Sequence, residues 1–254
     1  MKKRYGQHFL SDRNILQRIV RLAEVSSGDT VVEIGPGAGA LTRELAATAS
    51  RVVAIEIDRD LVPALRASMP ANVEVVQADA LEADFAVLAG GAPFHIVGNL
   101  PYNVATPLLK RFIDCRDRIL DVTIMLQKEV AERIRATAGS ADYGPLSVLI
   151  QYYANPIRGF AVSPGAFTPR PRVDSAVIRL EWKREIAHAT DFTDFVHQAF
   201  GSRRKKLANN LAVIFPERSR DEILAAMKAA GSNPDARAET LAVEQFLRVY
   251  NQLR

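Results

Sequence analysis

Thr30-Val31-Val32-Glu33-Ile34-Gly35-Pro36-Gly37-Ala38-Gly39 runs from an apolar stretch straight into a cluster of glycines. The β-branched residues at its start favour extended backbone, and the glycines supply the tight turn and bare backbone that let a strand pass directly into a helix. The same grammar recurs downstream. Val52-Val53-Ala54-Ile55, Val73-Glu74-Val75-Val76 and His95-Ile96-Val97 are further short apolar runs, separated by helix-like segments. Alternation of that kind predicts βαβ units and a mostly parallel sheet with helices on both faces, the α/β class.

Each run ends in a polar or glycine element: Glu33 with the glycines, then Glu56-Ile57-Asp58, then Asp79-Ala80, then Asn99. In an open parallel sheet the carboxyl ends of the strands share one edge, and ligands bind outside it. Groups far apart in sequence therefore converge. Gly35-Pro36-Gly37-Ala38-Gly39-Ala40 also satisfies the dinucleotide pattern G-x-G-x-x-G/A, with Glu56 about 20 residues on to grip a ribose. Two features point elsewhere. Glu33 would repel a pyrophosphate but suits the ammonium of an amino-acid tail, and Asp79 is able to accept from an adenine amino group. A cationic, phosphate-free cofactor, S-adenosylmethionine, fits these better, and a nicotinamide-dependent dehydrogenase is the competing reading.

Gly98-Asn99-Leu100-Pro101-Tyr102 follows the fourth run. Proline ends a strand, so the Asn99 side chain and the Leu100 and Pro101 carbonyls stand at a sheet edge with no strand to pair. Such acceptors beside the ring of Tyr102 are suited to hold a flat amine. With S-adenosylmethionine alongside, the implied chemistry is methyl delivery to the exocyclic amino group of an adenine.

The remainder supplies the frame. A basic N-terminus ends in Gly6-Gln7-His8-Phe9-Leu10, whose apolar pair is out of place in a solvated tail and suggests a segment folding over something; Ser11 is placed to cap the helix that carries Leu16 and Ile19. A fifth strand is expected over residues 122–126. A hairpin is expected from residues 160–163 and 173–180, around the proline-stiffened loop Pro164-Gly165-Ala166-Phe167-Thr168-Pro169-Arg170-Pro171-Arg172. That loop is read as presenting an exposed Phe167 between basic residues, suited to stacking on an unpaired base. From about residue 185 the strand pattern stops and only helical segments follow, which places a domain boundary between 1–185 and 186–254. Arg203-Arg204-Lys205-Lys206 is expected to open one of these helices, where four cations oppose the macrodipole; phosphate contact explains that placement better than solvation.

The 254 residues carry 33 Lys and Arg against 29 Asp and Glu, a net charge of +4, so the clustering of cations says more about a polyanionic partner than their sum does. Cys115 is the single cysteine, and no apolar run reaches the roughly 18 residues of a membrane helix, so a cytoplasmic protein without membrane contact is expected. No metal-ligand set is assigned.

In combination, Gly6-Gln7-His8-Phe9-Leu10, Glu33-Ile34-Gly35-Pro36-Gly37, Glu56 with Asp58, Asp79-Ala80, Asn99-Leu100-Pro101-Tyr102, the string from Phe167 to Val177 and the basic cluster at 203–206 resemble the small-subunit ribosomal RNA adenine dimethyltransferases, relatives of the rRNA methylases that confer macrolide resistance. The resemblance covers almost the whole chain. It departs at His8, where many members have Asn. It implies a Rossmann-like methyltransferase domain with a mostly parallel seven-stranded sheet and a small all-α C-terminal domain. It further implies His8 and Leu10 as a lid on S-adenosylmethionine, Gly35 and Gly37 as the close turn, Glu56 at the ribose, Asp79 at the adenine, Ile57 and Ala80 as further cofactor contacts, and Asn99 facing the methionine end. Asn99, Leu100, Pro101, Tyr102 and Phe167 would hold the target base, and Arg170, Arg172, Arg203, Arg204, Lys205 and Lys206 the RNA. The implied substrate is 16S rRNA, dimethylated at two adjacent adenosines within a small-subunit assembly intermediate by an enzyme that is monomeric when free. A large-subunit methylase of the resistance type and a non-catalytic assembly factor on the same fold are the alternatives.

Overall fold

The computed structural model describes residues 8–101, 104–183, 186, 190–202 and 204–254. The chain divides into two compact units, Met1–Ala131 with Pro156–Trp182, and Glu132–Asn155 with Lys183–Arg254. In chain order the elements are β1 (Phe9–Leu10), α1 (Arg13–Ala23), β2 (Thr30–Ile34), α2 (Ala40–Ala46), β3 (Arg51–Glu56), α3 (Val62–Ser68), β4 (Val73–Gln77), α4 (Phe85–Leu88), β5 (Phe94–Asn99), α5 (Ala105–Asp114), β6 (Ile119–Gln127), α6 (Lys128–Arg135) and α7 (Pro145–Tyr153). Then come β7 (Ala154–Val162), β8 (Phe167–Thr168), β9 (Ser175–Trp182), α8 (Thr190–Ala199), α9 (Leu207–Ile214), α10 (Arg220–Ala229) and α11 (Val243–Leu253).

Seven strands form one sheet in the order β4-β3-β2-β5-β6-β9-β7. From β4 to β6 they run parallel, and β9 returns antiparallel to β6. Val31 and Val32 point to opposite faces of β2, and both are fully buried, so the sheet is covered on both sides. The expected hairpin is present as the neighbours β9 and β7. A Cβ on Gly98 would stand 2.6 Å from the Ile34 carbonyl, so glycine there lets β5 lie close to β2, where the functional edge begins.

Helix α1 shows why a cap position is hard to read. Asp12, rather than Ser11, is its N-cap, and its Oδ1 accepts from the N–H groups of Asn14 at 2.9 Å and Ile15 at 3.2 Å. Both residue types cap helices, and one residue of register decides which side chain reaches the orphan N–H groups. The buried face is as expected, with Leu16, Ile19 and Ala23 turned inward.

The second unit is held by aromatic rings. Phe192 and Phe195 of α8 stand 5.5 and 5.2 Å from Tyr250 of α11, and Phe200 stacks on Phe246 at 5.5 Å. Ser219 and Glu222 form the expected capping box on α10, and Gly231 follows it at φ +73°. Helix α9 starts at Leu207, later than expected, so Arg204 and Lys205 precede the helix and Lys206 is its N-cap. Lys206 still faces the positive end of the helix dipole, and Asp235 Oδ1, 2.7 Å from its Nζ, offsets its charge.

Candidate active site

The parallel strands set out the predicted groups along one edge. In sheet order come Asp79 after β4, Glu56 at the end of β3, Glu33 and the glycine turn at the end of β2, and Asn99 at the end of β5. The chain goes from β2 to β3 and β4 on one side and takes β5 and β6 to the other, so Gly35 and Asn99 flank the point where strand order reverses, where open α/β sheets bind ligands. A cavity of about 320 Å³ opens there. Every residue assigned to the cofactor lines it: His8, Leu10, Gly35, Gly37, Glu56 and Ile57, together with Asp79, Ala80 and Asn99. Leu100 and Pro101 line it too. Tyr102 and Arg203 lie outside the described residues.

The glycine turn is fastened from below. Gly35 and Gly37 have φ of +70° and +57°, a region that disfavours side chains. The Gly37 N–H donates to Glu56 Oε2 at 3.0 Å, and the Asp58 N–H donates to Oε1 of the same carboxyl at 2.9 Å. Burial raises the pKa of Glu56, against the lowering effect of these two donors. At Asp79, Oδ1 accepts from the Leu81 N–H at 2.8 Å, which curls the loop after β4 back on itself.

Glu33 is different. It lines the cavity, is 1% exposed, and its Oε2 has no hydrogen-bond partner. Burial pushes its carboxyl up to about 8, the Thr42 hydroxyl works against that, and the neighbouring Glu56 adds to it. A buried carboxyl facing a cavity with an unsatisfied oxygen is costly unless something cationic completes it. That is the fit an amino-acid ammonium requires, so the residues present suit S-adenosylmethionine.

Asn99 is oriented by the N-terminal segment. Its Nδ2 donates to the His8 carbonyl at 3.1 Å, which engages the amide's donor side and turns Oδ1, the acceptor, the other way. His8 is tied in turn, Nδ1 donating to the Pro169 carbonyl at 2.7 Å. Beside it β1 and β8 pair antiparallel, Phe9 opposite Thr168 and Leu10 opposite Phe167. Phe9 packs on the glycine turn so closely that a Cβ on Gly37 would meet its ring at 2.9 Å. Phe9 was not among the assigned residues, though an apolar pair in a basic terminus was the signal for it.

Phe167 is not the exposed aromatic expected from its loop. It is 3% exposed and packs in the core with Leu10, Leu16, Met125 and Val177, because pairing with β1 turns its ring inward. It does not line the cavity, and neither do Arg170 and Arg172, which are exposed. Arg204, Lys205 and Lys206 are exposed in the second unit, with Lys206 Nζ 2.7 Å from Asp235 Oδ1.

A Rossmann-like sheet with a glycine turn, an acidic residue at each of the next two strand ends and an unpaired carboxyl for an ammonium group defines an S-adenosylmethionine-dependent methyltransferase. Comparison with known proteins narrows this. The family model for ribosomal RNA adenine dimethylase matches residues 1–254, and the chain belongs to that family. It is 43% identical to the ribosomal RNA small subunit methyltransferase A of Chromohalobacter salexigens, over 99% of this chain and 91% of the relative. To the protein of the same name from Moorella thermoacetica it is 42% identical, over 100% and 92%. Among solved structures, the 23S rRNA methyltransferase ErmE aligns with a TM-score of 0.76 at 31% identity, covering 96% of this chain and 99% of that one. A dimethyladenosine transferase from Plasmodium falciparum shares the fold with a TM-score of 0.82 at 24% identity, over 95% and 96%. The chain is thus an rRNA adenine dimethyltransferase that uses S-adenosylmethionine.

Proposed function

We propose that the enzyme dimethylates the N6 amino groups of two adjacent adenosines in a hairpin near the 3′ end of 16S rRNA. It does so on a small-subunit assembly intermediate in the cytoplasm, as a monomer when free. The observation that carries the chemistry is Asn99, whose amide donor is engaged by the His8 carbonyl while its acceptor is turned away, at the strand-order reversal beside the cavity. The choice of subunit rests on the relatives named for the small subunit, 43 and 42% identical over nearly their whole lengths, against 31% for the 23S enzyme.

When bound, S-adenosylmethionine supplies a methyl group on a positively charged sulfur. Glu33 holds the amino group of its methionine end, and Gly35 and Gly37 give the backbone room. Glu56, held by two N–H donors, presents its remaining lone pairs to the ribose hydroxyls. Ile57, 41% exposed, offers a flat apolar contact to the adenine ring, whose amino edge Asp79 receives beside Ala80. His8 and Leu10 cover the site.

The target amine is a poor nucleophile because its lone pair is delocalised into the purine ring. Asn99 Oδ1 and the Leu100 carbonyl accept its two protons, which draws the nitrogen toward tetrahedral geometry and turns its lone pair outward. The Leu100 N–H, donating to the Met125 carbonyl at 2.9 Å, anchors that loop to the sheet. Pro101 and Tyr102 bound the base. Alignment of two bound reactants contributes about 7–11 kcal/mol, so no strong base is needed; the methylated nitrogen sheds its proton to water. The base must be unpaired or flipped out to enter. Arg170, Arg172 and Arg203 to Lys206 hold RNA phosphates.

The test is to supply labelled S-adenosylmethionine and ask which ribosomal subunit from unmethylated cells takes label. Label in the small subunit at two adjacent adenosines is expected. Label in the large subunit would move the enzyme to the resistance-type activity, and label in neither would leave an assembly factor.

A further inference from the structure

The loop between β4 and α4 carries Asp79, and its shape depends on a residue outside it. Asp79 Oδ1 accepts from the Leu81 N–H, and the Asp79 carbonyl accepts from the N–H groups of Glu82 at 3.0 Å and Ala83 at 2.9 Å. These bonds close the turn but leave the Leu81 and Ala83 carbonyls turned outward. Arg111 of α5 takes both. Its Nη1 donates to the Leu81 carbonyl, and its Nη2 donates to the Ala83 carbonyl at 2.6 Å. The guanidinium carbon lies 5.3 Å from the ring centroid of Phe85, the fully buried first residue of α4. A planar fork spanning two carbonyls, backed by an aromatic face, fixes a turn in a way that a single-point donor does not. Helix α5 follows directly on the Asn99 loop, so one helix is tied both to the segment that holds the target base and to the segment that reads the cofactor.

We infer that Arg111 is a positioning residue, which sets the cofactor's specificity by holding the Asp79 loop in the shape that receives an adenine amino group. It rests on the assignment of Asp79 to the adenine edge. Arg111 does not line the cavity, so it acts through Leu81 and Asp79, both of which do. Without the fork the two carbonyls turn to water and the loop relaxes, which moves the Asp79 carboxylate off the adenine edge while leaving Glu33 and Glu56 in place.

The experiment compares affinities of the full chain for S-adenosylhomocysteine and S-inosylhomocysteine, which differ in presenting an amino donor or a carbonyl oxygen to Asp79. Wild type, Arg111→Gln and Arg111→Lys are measured by calorimetry, with melting temperatures recorded alongside. Wild type is expected to prefer the adenosyl ligand. Arg111→Gln should lose about 10-fold in adenosyl affinity with the inosyl affinity within about twofold of wild type, and Arg111→Lys should fall between. If Arg111→Gln does not fold, the lysine variant reads the same ratio. Full preference in a folded variant, or equal loss for both ligands, overturns the inference alone. Equal affinity of wild type for both ligands overturns the Asp79 assignment and the inference with it.

Discussion

At the carboxyl edge of the parallel strands the Glu33 side chain, 1% exposed, has an oxygen with no hydrogen-bond partner. At the opposite edge Asp121, 4% exposed, shares its Oδ2 between His95 Nδ1 at 3.1 Å and Arg179 Nη2 at 3.0 Å. His95 Nε2 reaches Asp29 Oδ2 at 3.3 Å, and Arg179 Nη1 reaches Glu24 Oε2 at 2.6 Å. Both edges bury carboxyl groups, and Asp121 Oδ1, like Glu33 Oε2, has no hydrogen-bond partner, but at the far edge the Arg179 guanidinium stands against the carboxylate from within the fold. The network of Asp29, His95, Asp121 and Arg179 stitches β2, β5, β6 and β9 at their far ends, and none of its residues lines the cavity at the carboxyl edge. Glu33 does line that cavity. Neither burial nor an unpartnered oxygen distinguishes a structural acid from a binding acid in this sheet; a cation supplied by the fold does.

The sharpest way to break that contrast is to alter one residue at each edge. Asn99→Ala at the carboxyl edge is expected to lower methyl transfer at least about 1,000-fold, roughly 4 kcal/mol of transition-state stabilisation, while S-adenosylmethionine binding by calorimetry stays near wild type. Turnover within about tenfold of wild type would remove Asn99 from the chemistry. Asp121→Ala at the other edge is expected to do the reverse. It leaves buried His95 and Arg179 without their shared acceptor and should cost about 3 kcal/mol in urea unfolding, with kcat unchanged at a temperature where the variant is folded. A loss of kcat without a loss of stability would mean that the two edges are not separate in function.

The carboxyl edge was legible in the sequence because its parts are local signals. A glycine turn, an acid at a strand end and Asn-Leu-Pro-Tyr each announce themselves within a few residues, and sheet topology brings them together. The far edge was not legible. His95, Asp121 and Arg179 are unremarkable singly, and only register, with Asp121 opposite Glu181 and Thr123 opposite Arg179, makes them a cluster. The same reason hid the burial of Phe167. A proline-stiffened loop reads as exposed until a two-residue pairing with Phe9 and Leu10, some 160 residues away, turns its aromatic inward. The late start of α9 at Leu207 was missed because Arg and Lys have good helix propensity, and nothing in the cation run itself marks a boundary.

Glu33→Gln sharpens the contrast at one residue, because its two effects should have opposite signs. The folded-state pKa of Glu33 is about 8 against an ordinary 4.5, so the native state holds a proton that the unfolded chain gives up. Stability therefore falls as pH rises from about 4.5, and the loss is complete once the folded carboxyl ionises above about 8. Glutamine removes this penalty and should stabilise the ligand-free protein at pH 8 by about 1–2 kcal/mol, while weakening S-adenosylmethionine binding about tenfold. Stability and affinity falling together would make Glu33 a structural acid like Asp121.

The smallest expected effect belongs to His95, and it separates the edges by pH. Burial alone would lower its pKa, but Asp121 and Asp29 more than reverse this, so the net shift is upward from 6.5. A raised histidine contributes stability that is fully present below about 6.5 and is lost as pH rises through its folded value. Wild-type stability then declines with pH for two independent reasons, Glu33 from about 4.5 onward and His95 only from about 6.5. Denaturant titrations of Glu33→Gln between pH 5 and 9 should retain only the later decline, and adding His95→Gln should flatten it at the expense of some stability near neutrality. Because the two groups share no partner, their contributions should add. A double variant that departs from additivity would show that the two edges are coupled through the strands they share.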